Sequence, residues 1–154
     1  MNKEKEIKKV CGFYASNMHF ITMILPYLSK QIEGNKKIVT FFQNDLSKEI
    51  ETILTRVNIS KEKKEKIRNL EWNKKEKIDS NKRTKESLII IVGGTKEYVE
   101  EINKKLENNK ENEKNVIINC FEINEEKYSI RKIVEKYQYL INTTGIRKKE
   151  EICI

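Results

Sequence analysis

Ser87-Leu-Ile-Ile-Ile-Val-Gly-Gly-Thr95 joins a run of large aliphatics to two glycines and a threonine suited to capping a helix. A segment that is apolar at every position, not at every second one, is buried on both faces, as a central strand of a parallel sheet is. The two glycines close the strand, and a helix is predicted from Lys96 to Leu106. This one strand-turn-helix unit implies helices on both faces of a sheet, because a two-sided apolar strand needs cover above and below.

The same grammar repeats in both directions. Val10-Cys-Gly-Phe-Tyr-Ala15 reads as a first strand, and Ser16 or Asn17 caps a helix from Met18 to Ile32 whose Phe20, Met23, Ile24, Tyr27 and Leu28 keep helical spacing. Pro26 falls inside that helix and is predicted to kink it or break it near Leu25. Gly34 ends it, and Ile38 to Phe42 forms a second strand. Asn44 or Asp45 then caps a helix through Val57, and a short helix follows from Ser60 to Asn69. Trp72 is assigned to a brief third strand. Beyond the central run, Asn115 to Glu122 is a strand, Tyr128 to Tyr137 a helix, and Tyr139-Leu-Ile141 a last short strand. Strands alternating with helices predict an α/β fold: a three-layer α/β/α sandwich with a mostly parallel sheet of about five strands. Residues 1–146 form one domain with a basic loop at 73–86, and 147–154 are expected as a loose tail.

The chain has 154 residues, enough for one sizeable core. Its formal charge of +8 comes mostly from 27 Lys, against only 5 Arg. Lys61 to Glu86 holds 11 Lys or Arg and 6 Asp or Glu, so most of the excess lies in one segment. Such a segment reads either as a solvated lysine-rich stretch or as an anion-binding surface, and scarce Arg disfavours bidentate base or phosphate contacts. Cys11, Cys120 and Cys153 lack metal-ligand spacing and are odd in number, so reduced thiols and a cytoplasmic location are expected. The charged start, Met1-Asn-Lys-Glu-Lys5, has no apolar core behind it for a secretory signal. No apolar run is long enough to span a bilayer.

In parallel sheets ligands sit outside the carboxyl ends of the strands, where helix N-termini point. That rule selects Ser16, Asn17 and His19 after the first strand, Asp45 after the second, Gly93, Gly94 and Thr95 after the central one, and Asn142 after the last. Each is also a residue that ordinary capping or turning would use. Gly93-Gly94 lets a backbone approach a ligand closely, or simply makes a tight strand-to-helix turn. No GxxxxGK[ST] and no GxGxxG is present, which disfavours ATP hydrolysis and ordinary dinucleotide binding. His19 is the only histidine, so no two-histidine metal site can form. No cofactor is expected.

Val10-Cys-Gly-Phe-Tyr14, the helix from Met18 to Leu28 with Leu25-Pro-Tyr-Leu28, and Gly34-Asn-Lys-Lys-Ile-Val39 together resemble the start of the MEDS-type sensory domain. The likeness covers residues 8 to 57, with Lys9 where the family places a His. It implies a RecA-like three-layer core that lacks the nucleotide-hydrolysing loop and acts as a sensor.

Three functions are therefore carried forward. The first is a non-catalytic sensory or regulatory domain that binds a small polar ligand or a protein partner at the strand carboxyl ends, as a monomer or a homo-oligomer. The second is nucleic-acid binding through the basic segment at 61–85. The third is a small enzyme pairing His19 with Asp45 or Glu122.

Overall fold

The computed structural model describes residues 8–34, 37–70, 88–107, 116–123 and 130–151. In chain order the elements are β1 (Lys8–Tyr14), α1 (Asn17–Glu33), β2 (Lys37–Phe42), α2 (Ser47–Arg56), α3 (Lys61–Arg68), β3 (Leu88–Gly94), α4 (Lys96–Glu107), β4 (Val116–Glu122), α5 (Ile130–Glu135), β5 (Tyr139–Asn142) and β6 (Gly145–Lys148), followed by a 3-10 turn at Lys149–Glu151. They build one sheet in the order β2-β3-β4-β1-β5-β6. All neighbouring pairs are parallel except β5 and β6, which form an antiparallel hairpin. The fold is the α/β sandwich that the alternation predicts, with an order unlike either common doubly wound arrangement.

The period-two geometry of strands divides the core into two layers. Ile89 and Ile91 of β3 face one side with Val10 of β1, Ile118 of β4 and the buried stripe of α1, beneath Ile50, Leu54 and Ile67 of α2 and α3. Leu88, Ile90 and Val92 face the other, with Cys11, Ile117 and Phe121, under Val99 and Leu106 of α4 and Ile133 of α5. Every residue of β3 is buried, which is why its sequence shows no alternation.

Three expectations change. The helix does not break at Pro26, since α1 runs continuously from Asn17 to Glu33. Pro26 lies on the exposed side, where a missing amide removes one main-chain bond without leaving a buried orphan. The tail predicted from residue 147 is in large part structured: after the turn at Asn142-Thr143-Thr144-Gly145 the chain pairs back on β5, Ile146 opposite Ile141 and Arg147 opposite Leu140. Gly145 has φ +115, a left-handed value that glycine adopts freely, and this makes the reversal possible. The sheet therefore has six strands, where about five were expected. The basic loop at 73–86 and the strand at Trp72 lie outside the described residues.

Candidate functional site

At the carboxyl end of β1 the chain turns directly into α1, and the turn is closed by two hydrogen bonds that involve His19. The His19 amide donates to Ser16 Oγ at 3.1 Å, and the Ala15 amide donates to His19 Nδ1 at 3.0 Å. Ser16 thereby caps the helix as its residue type predicts, while His19, at the position where a capping box has a glutamate, reaches one residue further back, to the amide before the cap. With Nδ1 accepting, the neutral ring carries its proton on Nε2.

The carboxyl ends of β2 and β3 are tied to each other. Gln43 spans them: its amide donates to the Gly93 carbonyl at 2.9 Å, and its Oε1 accepts the Thr95 amide at 2.8 Å. Thr95 Oγ1 in turn accepts the Tyr98 amide, and Asp45 Oδ1 accepts from the Ser47 amide and hydroxyl. The glycines serve packing. A Cβ on Gly93 would lie 2.4 Å from the Phe20 ring, and one on Gly94 would lie 2.6 Å from Gln43 Oε1 and 2.8 Å from the Tyr98 ring. An anion cradle over Gly93, Gly94 and Thr95 would need those groups free, and the Thr95 amide is already bound.

An open concavity exists instead beside β1. β5 pairs with β1 only at Val10 and Cys11 and then turns away into the hairpin, so Gly12, Phe13 and Tyr14 have no strand on that side. A cleft of about 410 Å³ occupies the gap, walled by Phe13, Met23 of α1, Val134 of α5 and Leu140, with His19, Asn142 and Thr143 at the mouth. A Cβ on Gly12 would stand 2.7 Å from the Ile141 side chain, so only glycine lets β5 seat this closely before it departs. Asn142 Oδ1 accepts from the Thr144 amide and hydroxyl, fixing the turn.

Of the residues selected from sequence, the cleft brings together His19 and Asn142, with Ser16 and Asn17 on the adjoining turn. It does not gather Asp45 or Gly93 to Thr95, which belong to the far strands. Three strand steps separate β2 from β1, about 14 Å at ordinary strand spacing, so Asp45 is out of hydrogen-bond reach of His19. Glu122 ends β4 opposite Tyr14, yet among the described residues no ion pair joins His19 to a carboxylate. The apolar walls, Phe13, Met23 and Val134, were not read as site residues from the sequence; Gly12 inside a strand is the one signal there that could have pointed to a close approach.

Elsewhere, three of the five cations in the described part of the basic segment are paired locally. Lys63 pairs with Glu33, Lys66 with Glu62, and Arg68 with Glu51 and Glu65. These bonds hold the Glu33 and Glu51 carboxyls below their ordinary range, the hydrogen bond from the cation being the main cause in each. Cys11 and Cys120 are buried free thiols. Among the described residues no cluster of metal-ligating side chains occurs, and no helix is long and apolar enough to cross a membrane. Comparison with protein-family models, with curated proteins and with solved structures finds no match to this chain.

Proposed function

We propose that this domain is a non-catalytic sensory or regulatory module that binds a small molecule in the cleft between α1, α5 and the β5 turn. The carrying observation is the 410 Å³ concavity at the carboxyl ends of β1 and β5, opened where β5 stops pairing. Its volume falls in the range of small-molecule sites, and apolar walls with a few polar groups at the mouth are their usual make-up. Sequence alone suggested a polar ligand; the walls favour one with an apolar body and a hydrogen-bonding edge that meets His19 and Asn142. The resemblance to MEDS-type domains over residues 8–57 supports a sensor built on a RecA-like core. The turn after β1 suits that role, because Ser16 and His19 close it by side-chain capping and no phosphate-binding loop is present.

Screening a metabolite and fragment library against the full chain by thermal shift tests this reading. A ligand at a hundred times its Kd should stabilise the domain by about 2.7 kcal/mol. Val134→Trp, which fills the cleft from the α5 wall, should abolish that shift. Hits indifferent to Val134→Trp, or no hit from a library that covers amphipathic metabolites, would count against it.

A protein partner is the second reading. The large apolar side chains exposed among the described residues, Met18, Ile123 and Ile130, sit at the start of α1, just after β4 and at the start of α5. All three belong to the same end of the sheet, a distribution that a docking rim would have. A pull-down with wild type but not with Met18→Ser/Ile130→Ser would favour it.

A further inference from the structure

A second concavity, of about 560 Å³, lies further along the same face of α1, between the last turns of that helix, the starts of β1 and β4, and the edge strand β6. Lys8, Lys30 and Arg147 converge on it from three different elements, and no carboxylate is in its lining among the described residues. Glu33, the one acid of α1, is engaged chiefly by Lys63 and more weakly by the charge of Lys30. Pro26, Val116 and Ile146 supply an apolar floor, and Tyr27 and Gln31 supply neutral polar groups.

Helix-dipole complementarity accounts for Lys30, the basic residue of the last turn of α1. It does not account for Lys8 or Arg147, which come from strands. Lys8 is positioned by the Tyr139 ring, its ammonium 4.3 Å from the ring centroid. Arg147 is carried by β6, in the half of that strand that sequence reading assigned to a loose tail. The three cations share one lining, and none of them forms an ion pair with a carboxylate among the described residues. A bound anion would supply the opposite charge that this lining lacks. Burial pushes the Tyr27 hydroxyl up to about 12, so it stays protonated and able to donate.

We propose that this cleft binds a phosphate-bearing small molecule, its phosphate held by Lys30 and Arg147 with Lys8 behind them, and its body resting against Tyr27 and the apolar floor. The volume exceeds what a lone phosphate needs and suits a ligand of nucleotide or sugar-phosphate size. The site is separate from the carboxyl-end cleft, so neither reading depends on the other.

The test is calorimetric titration of the full chain with pyrophosphate and with magnesium-free ATP, at low and at physiological salt. Saturable one-to-one binding by at least one of the two is expected, weakening as salt rises. Lys30→Gln/Arg147→Gln should weaken it at least tenfold. The charge-matched control Lys48→Gln/Lys104→Gln, on α2 and α4, should leave it within twofold. Both pairs alter exposed cations, and superimposable circular-dichroism melts establish that each is folded. Amide shifts at Tyr27, Gln31 and Arg147 should follow the titration. Absence of saturable binding, equal loss in both double variants, or binding of a single-stranded oligonucleotide where pyrophosphate and ATP fail would overturn the proposal.

Discussion

Asn103 of α4 and Asn119 of β4 exchange amide hydrogen bonds in both directions, at 2.8 and 3.1 Å, under a layer of aliphatic side chains. Asn119 also donates to the Tyr137 hydroxyl at 2.8 Å, and Asn103 to the Val99 carbonyl at 2.8 Å. Asn119 is 1% exposed, so these bonds are its substitute for water, and they tie α4 and the segment after α5 to the strand between them. Removing one member strands its partners. Asn119→Ala is expected to destabilise the domain by about 1–3 kcal/mol, the penalty of an unsatisfied buried polar group. Asn103→Leu/Asn119→Leu should lose less than the two single changes added together, because no amide is then left without a partner. Urea unfolding of the four proteins decides it.

Gly93 faces Phe20 so closely that an added Cβ has no room. Phe20 cannot easily yield, since its ring is stacked on Tyr14 at 4.5 Å and meets Phe42 edge-on at 4.9 Å. Gly93→Ala should therefore cost about 1–3 kcal/mol by overpacking. Phe20→Leu in the same chain should recover part of that loss. Additive losses in thermal melts would show that the contact is not the cause.

These two contacts mark where sequence reading succeeds and where it stops. The aliphatic run from Leu88 to Val92 declares a buried strand through composition alone, and Ser16, one of the two caps read for α1, accepts the His19 amide. Ser60, read as the start of a helix, caps it, whereas α2 starts after Leu46 without a side-chain cap, where Asn44 or Asp45 was expected to supply one. Whether Gly93 and Gly94 face a ligand or a neighbour depends on which strands adjoin, and strand order comes from non-local packing. The same limit hid the cleft, whose walls come from β1, α1, α5 and β5, far apart in the chain. β6 was missed for a different reason: Gly145-Ile-Arg-Lys148 is short, half charged and at the sheet edge, so it carries no periodic apolar signal.

Burial governs the thiols. Cys11 is pushed up to about 12 from its ordinary 9.0 by desolvation, with Lys149 pulling weakly the other way, and Cys120 is raised further, again chiefly by desolvation. In the unfolded chain both ionise near 9, so the fold favours the neutral forms. The sign follows: this contribution to stability is fully present below pH 9 and is lost as pH rises from 9 toward 12. Urea midpoints should fall over that interval, and less steeply for Cys11→Ala. Iodoacetamide at pH 8 should leave Cys11 and Cys120 unmodified in the native protein and label both in urea, as peptide mass spectrometry would report.

His19 separates a structural role from a binding role through its two ring nitrogens. Nδ1 is occupied by the Ala15 amide, so the ring helps close the turn that leads into α1. The neutral ring should appear as the Nε2–H tautomer in a long-range ¹H–¹⁵N spectrum. His19→Ala should destabilise by about 1 kcal/mol, as the loss of a helix-capping acceptor does. His19→Asn keeps an acceptor at the same helix position and should recover part of this. A ligand seated in the carboxyl-end cleft would meet only the Nε2 edge, where it sits at the mouth beside Asn142. His19→Asn should therefore weaken that ligand while largely preserving the fold. Equal ligand affinity in wild type and His19→Asn would confine the histidine to capping.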